Sequence, residues 1–126
     1  MRYLFVGLGG FVGAILRHWL GGLVQPASPH AAFPFGTLVV NLLGCFAIGV
    51  VVQAIEARGA LHPYARVFLI VGVIGGFTTF SAFASETLNG FRASLPWVAI
   101  LNVVVSVSLG LLAVWGGRAT VAAVVR

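Results

Sequence analysis

The stretch Gly75-Gly76-Phe77-Thr78-Thr79-Phe80-Ser81-Ala82-Phe83 holds the residue types that could do chemistry in an otherwise apolar chain. Two adjacent glycines weaken a helix at its centre, each costing about 1 kcal/mol against alanine. Three hydroxyl residues and three phenylalanines share the same nine positions. A helix interrupted inside a bilayer is tolerated only where its freed backbone groups meet protein, water or an ion. Freed carbonyls would hold a hard cation through oxygen ligands. Hydroxyl and amide donors at Asn41, Thr78, Thr79, Ser81, Asn102, Ser106 and Ser108 are expected to have no fixed carboxylate nearby, and suit a small anion better than a cation. Phe80 and Phe83 lie three apart and share a face if helix resumes there. Their ring edges carry partial positive charge and could line a narrow anion path, or the rings could simply pack in a core.

Catalysis has little to work with. The chain has no aspartate, and its two acids are Glu56 and Glu86. Three scattered histidines show no metal-ligand spacing, and the lone Cys45 rules out an intrachain disulfide. A proton-coupled exporter needs an acid in mid-membrane, and both glutamates fall near predicted helix ends.

The elements that must position these residues are membrane helices. Of 126 residues 60% are hydrophobic and 7% charged, against about a quarter charged in a soluble domain; the mean hydropathy is +1.12. Apolar runs long enough to span a bilayer fit at Tyr3–Val24, Thr37–Ala54, Ala65–Leu88 and Leu95–Trp115. The predicted fold is an all-α membrane protein, one domain over residues 1–126, with four transmembrane helices and a broken third helix. Gln25–Gly36 reads as the longest loop, with His30 solvated. Gln53–Tyr64 reads as a short polar connection containing His62, and Asn89–Arg92 as a turn. The apolar tail after Gly116-Gly117-Arg118 could extend the fourth helix.

Gly7, Gly9, Gly10 and Gly13 are spaced to let another helix approach the first. Arg17 near that helix's end either snorkels to headgroups or faces a watery vestibule where it attracts anions. Asn41 either bonds across the bundle or faces a polar pathway. Glu86 is a candidate vestibule charge or an arginine's partner. The formal charge is +5, carried by seven arginines. With four spans, Arg2, Arg58, Arg66, Arg118 and Arg126 fall on one side, which favours termini in the cytoplasm. No basic patch interleaves with aromatics in a soluble segment, which argues against a nucleic-acid partner.

Three segments resemble the signatures of the Fluc/CrcB fluoride channels. They are Gly9-Gly10-Phe11-Val12-Gly13-Ala14-Ile15-Leu16-Arg17, then Gly36-Thr37-Leu38-Val39-Val40-Asn41-Leu42-Leu43-Gly44-Cys45-Phe46, then the Gly75–Phe83 stretch. The resemblance implies an antiparallel, dual-topology homodimer in the bacterial inner membrane, with two fluoride pores and a central structural sodium ion. It implies that backbone carbonyls of Gly75 and Thr78 hold the sodium. It implies a pore lined by Asn41, Phe80, Phe83, Ser81, Thr79 and Ser106, with Arg17 in the vestibule. The family often has serine at Cys45 and threonine at Ala82, and commonly a tyrosine near Asn102. The expected activity is passive export of fluoride, giving fluoride resistance. A small dual-topology multidrug exporter and a non-transporting membrane subunit are the alternatives.

Overall fold

The computed structural model describes residues 1–25, 32–59 and 61–125, so the expectations for His30 and Arg126 lie outside the described residues. Helix α1 runs Arg2–Val24, α2 Phe35–Arg58, α3 Pro63–Arg66, a π-helical segment Val67–Ile74, α4 Gly75–Phe77, α5 Phe80–Arg92 and α6 Pro96–Val124. Among the described residues these make four spans apolar and long enough to cross a membrane; the third is Pro63–Arg92, 30 residues. Large apolar side chains cover the outside, among them Leu111, Trp115 and Ile100, as suits a chain whose surroundings are lipid.

Several expectations about element ends are corrected. Helix α2 continues through Gln53–Arg58, so the connection to α3 narrows to the residues after Arg58. Its last turn carries an exposed ion pair between Arg118 of α6 and Glu56 at 2.6 Å. Asn89–Arg92 is helical, and the turn falls at Ala93–Leu95, where Ser94 takes a positive φ of 58°. Gly90 lies within the helix and faces α6, where a Cβ would come to 3.2 Å from that of Ala99. The apolar tail does extend the last helix, as expected: α6 continues past Gly116-Gly117 to Val124, and at Gly117 a side chain would meet the Phe46 carbonyl of α2. The π-helical turns of Val67–Ile74 left no signal in an all-apolar run.

Helix α2 packs most extensively on α6, and α1 on the π-helical segment. Phe33, Leu38 and Val98 form the buried centre of the first contact, with Leu42, Leu95 and Val105 against them. The second contact is backbone on backbone. A Cβ at Gly72 would lie 2.7 Å from the Cα of Gly9, and one at Gly76 would lie 2.8 Å from the carbonyl oxygen of Gly10. Gly36 at the start of α2 donates its N–H to the Gln25 Oε1 at 3.1 Å, tying the end of α1 to α2.

Candidate functional site

Halfway along the third span the backbone leaves the helix. Thr78 (φ −83°, ψ 154°) and Thr79 (φ −145°, ψ 113°) are extended, with α4 ending before them and α5 starting after. Thr78 keeps its amide and its hydroxyl on the Ile74 carbonyl, both at 3.1 Å. Its methyl fits against Gly44 of α2, where a Cβ would collide with it.

Asn41 of α2 engages Thr79 from the side. The Thr79 amide donates to Asn41 Oδ1 at 2.8 Å, and Asn41 Nδ2 donates to the Thr79 carbonyl at 3.1 Å. Both backbone groups of one extended residue are thus paired with one side-chain amide, as a neighbouring strand would pair them. The Thr79 hydroxyl caps α5 by accepting from the Ala82 amide at 3.2 Å, and lies 3.2 Å from the Ser81 hydroxyl.

These bonds divert donors from two carbonyls. In a continuous helix the Gly75 carbonyl would accept from the Thr79 amide, and the Thr78 carbonyl from the Ala82 amide. Both amides are engaged instead by Asn41 and by the Thr79 hydroxyl. Carbonyl oxygens relieved of their helical donors have the character a hard cation takes.

Phe80 and Phe83 follow on α5 with ring centroids 5.5 Å apart and planes tilted by 46°. Phe80 is 79% exposed and Phe83 half-buried. Ser106 of α6 donates to Asn102 Oδ1 at 3.2 Å, Asn102 Nδ2 to the Thr87 hydroxyl at 2.9 Å, and that hydroxyl to the Phe83 carbonyl at 2.7 Å. Among the described residues, Ser106 is thus linked by hydrogen bonds to α5 through Asn102 and Thr87.

A cavity of about 880 Å³ opens beside the extended pair, its walls including Arg17, His18, Thr37, Thr79, Ser81 and Glu86. Arg17 places a permanent positive charge in this wall. Among the described residues Glu86 has no arginine partner: Thr37 Oγ1 donates to its Oε1 at 2.6 Å, and its Oε2 is buried with no partner among them. The structure thus joins Arg17, Thr79 and Ser81 around one cavity together with Glu86, which corrects the expectation that these donors have no carboxylate nearby, and it joins Asn41 to Thr79 at the extended pair. Phe80, Phe83, Asn41 and Ser106 are outside the cavity wall. Sequence reasoning missed Thr87 and Thr37, whose partners lie on other helices and leave no local spacing to read.

The known proteins most informative about this arrangement are similar along almost the whole chain. A family model described as CrcB-like protein, Camphor Resistance (CrcB), matches residues 4–118. The chain belongs to the CrcB family. Proteins named fluoride-specific ion channel FluC are similar to it. That of Solibacter usitatus is 45% identical over 117 residues, covering 93% of this chain and 95% of the relative. One from Thermus thermophilus is 49% identical over 110 residues, covering 87% of this chain and 86% of the relative. That of Rhizobium meliloti is 42% identical over 123 residues, covering 97% of each. The CrcB family is one of channels, not enzymes, and four apolar spans make this member a multi-pass bacterial membrane protein.

Proposed function

We propose that the chain is a fluoride-selective channel through which fluoride leaves the cell passively, down the membrane potential. Undissociated hydrogen fluoride crosses membranes and ionises in a less acidic cytoplasm, where the anion is trapped. An electrically driven pore empties that trap without nucleotide or proton coupling. The observation that carries the reading is the clamp of Asn41 on Thr79. It holds an extended segment rigid at the point where two phenyl rings begin, and a small, strongly hydrated ion needs such a fixed, narrow passage. The membership of a family whose relatives are named fluoride-specific channels supports the same reading.

In this reading Arg17 gathers anions in the cavity, Thr79 and Ser81 offer hydroxyls, and the edges of Phe80 and Phe83 replace water beside the ion, with Asn41 and Ser106 completing the lining. The working unit is an antiparallel homodimer with two pores. The Gly75 and Thr78 carbonyls, whose helical donors are diverted, would hold a sodium ion between the subunits. When bound, sodium supplies a fixed positive charge that draws the two interrupted helices together. Replacing all sodium by an organic cation is expected to weaken the dimer and stop flux; an unchanged dimer with unchanged flux would remove the ion from the proposal.

The deciding experiment is fluoride efflux from liposomes that contain this chain alone, with no proton gradient. Efflux is expected, and Phe80→Ile is expected to abolish it while the protein remains assembled in detergent. Efflux that requires a proton gradient would favour the exporter class. No efflux at all would favour a non-transporting subunit.

A further inference from the structure

Asn102 is 2% exposed, the buried polar side chain among the described residues. Nothing in the pore reading uses it. Its bonds form a chain whose direction is forced from one end. The Phe83 carbonyl can only accept, so the Thr87 hydroxyl, with its single proton, must donate there. Thr87 can then only accept from Asn102, which turns the Asn102 amide nitrogen toward α5. Asn102 Oδ1 is left facing Ser106, and Ser106 must give its one proton to it.

The consequence concerns Ser106, and it rests on the reading of Ser106 as a pore residue. An anion can be held by a hydroxyl only through that proton. In this structure the proton is already committed to Asn102. The bond is 3.2 Å long, at the weak end for a hydroxyl donor, whose usual separation is about 2.7–2.8 Å.

We infer that Asn102 is a positioning residue that competes with the anion for the Ser106 proton: its Oδ1 holds the hydroxyl when the ion is absent and surrenders it when the ion arrives. Thr87 serves the same device by fixing which end of the Asn102 amide faces Ser106. The result is a donor that binds an ion less tightly, because each binding event breaks an existing bond. Conduction needs sites weak enough to release, and a two-position hydroxyl provides one without a second charge. The ion shifts the hydroxyl between its positions by its differential affinity for them.

The test is a coupling experiment on fluoride efflux from liposomes, reading the half-saturating fluoride concentration and the maximal rate separately. Asn102→Leu removes the competitor and frees the Ser106 proton. The half-saturating concentration is expected to fall by about threefold to tenfold, the worth of one neutral hydrogen bond, and the maximal rate to fall with slower release. Asn102→Ala, which adds no bulk, is the second variant should Asn102→Leu fail to assemble, and the same shift is expected. In a Ser106→Ala background neither change should move the half-saturating concentration, since no proton remains to compete for. A purely structural role for Asn102 would not vanish with the Ser106 hydroxyl. A shift that persists in that background, or no shift in the single variants, overturns the inference while leaving the channel reading intact. A wild-type chain that carries no fluoride defeats the channel reading, and this inference with it.

Discussion

The two halves of the third span are held in opposite ways. Before Thr78, the π-helical segment and α4 lie on α1 through glycines, backbone against backbone. After Thr79, α5 is held chiefly by side chains, Asn41 on Thr79, Thr37 on Glu86 and Asn102 on Thr87, with Gly90 approaching Ala99 of α6 further along. A glycine contact leaves no room to adjust, because backbone cannot rotate away as a side chain can. A side-chain hydrogen bond is directional but exchangeable. The difference suits a fixed wall joined to a working face, with Thr78 and Thr79 as the seam.

The comparison can be broken hardest at the wall. Gly13→Val would drive a side chain into the Val73 carbonyl and the Phe77 amide, and overpacking against immovable backbone is expected to cost about 3 kcal/mol or more. Loss of assembled protein in detergent would be the readout, and a well-folded, active Gly13→Val would show that the wall yields. Next comes the seam. Asn41→Leu leaves both backbone groups of Thr79 without their partner; an unsatisfied group costs about 1–3 kcal/mol, and the low end applies to each here because Thr79 lines the open cavity and water can reach it. Efflux is expected to fall at least tenfold, with a smaller loss of thermal stability than Gly13→Val. Stability and flux lost in the reverse order would erase the distinction between wall and working face.

Smaller changes sharpen it. Ser94 sits at φ 58° in the turn after α5, a left-handed conformation that glycine takes more readily. Ser94→Gly is expected to stabilise the protein by about 1 kcal/mol in detergent melting, with efflux unchanged. The smallest effect belongs to Glu56→Gln. Its partner Arg118 and Glu56 itself are 40% and 52% exposed, and exposed pairs contribute about 0–1 kcal/mol. A large stability loss there would mean that the far end of α2 and α6 carries more than their apolar contact.

Much of this architecture was legible in the residues. Spans of some twenty apolar residues announce themselves, because lipid accepts little else. Of the four glycines of α1 read as a close-packing set, Gly9 and Gly13 meet the third span, while a Cβ at Gly7 or Gly10 would meet nothing within 4 Å; the spacing did not say which helix makes the approach. The hydroxyl-rich run after Gly75-Gly76 singled out the region around Thr78 and Thr79. Helix ends were harder. Arg58 and Arg92 look like connections by polarity, yet each closes a helix, because interfacial turns accept charge without leaving the helix. The Glu86–Thr37 bond, 49 residues apart, has no local trace.

By itself the sequence determined the class of molecule, the number of spans, the absence of machinery for covalent catalysis and the neighbourhood of the polar site. Those properties depend on composition and on local backbone preference, which each segment carries alone. The tertiary structure alone decided which donor meets which acceptor: that Asn41 closes on Thr79, that Glu86 takes Thr37, that Ser106 points its proton at Asn102. A hydrogen bond is directional and short-ranged, so its partners are chosen only when helices distant in the chain are packed within about 3 Å of one another.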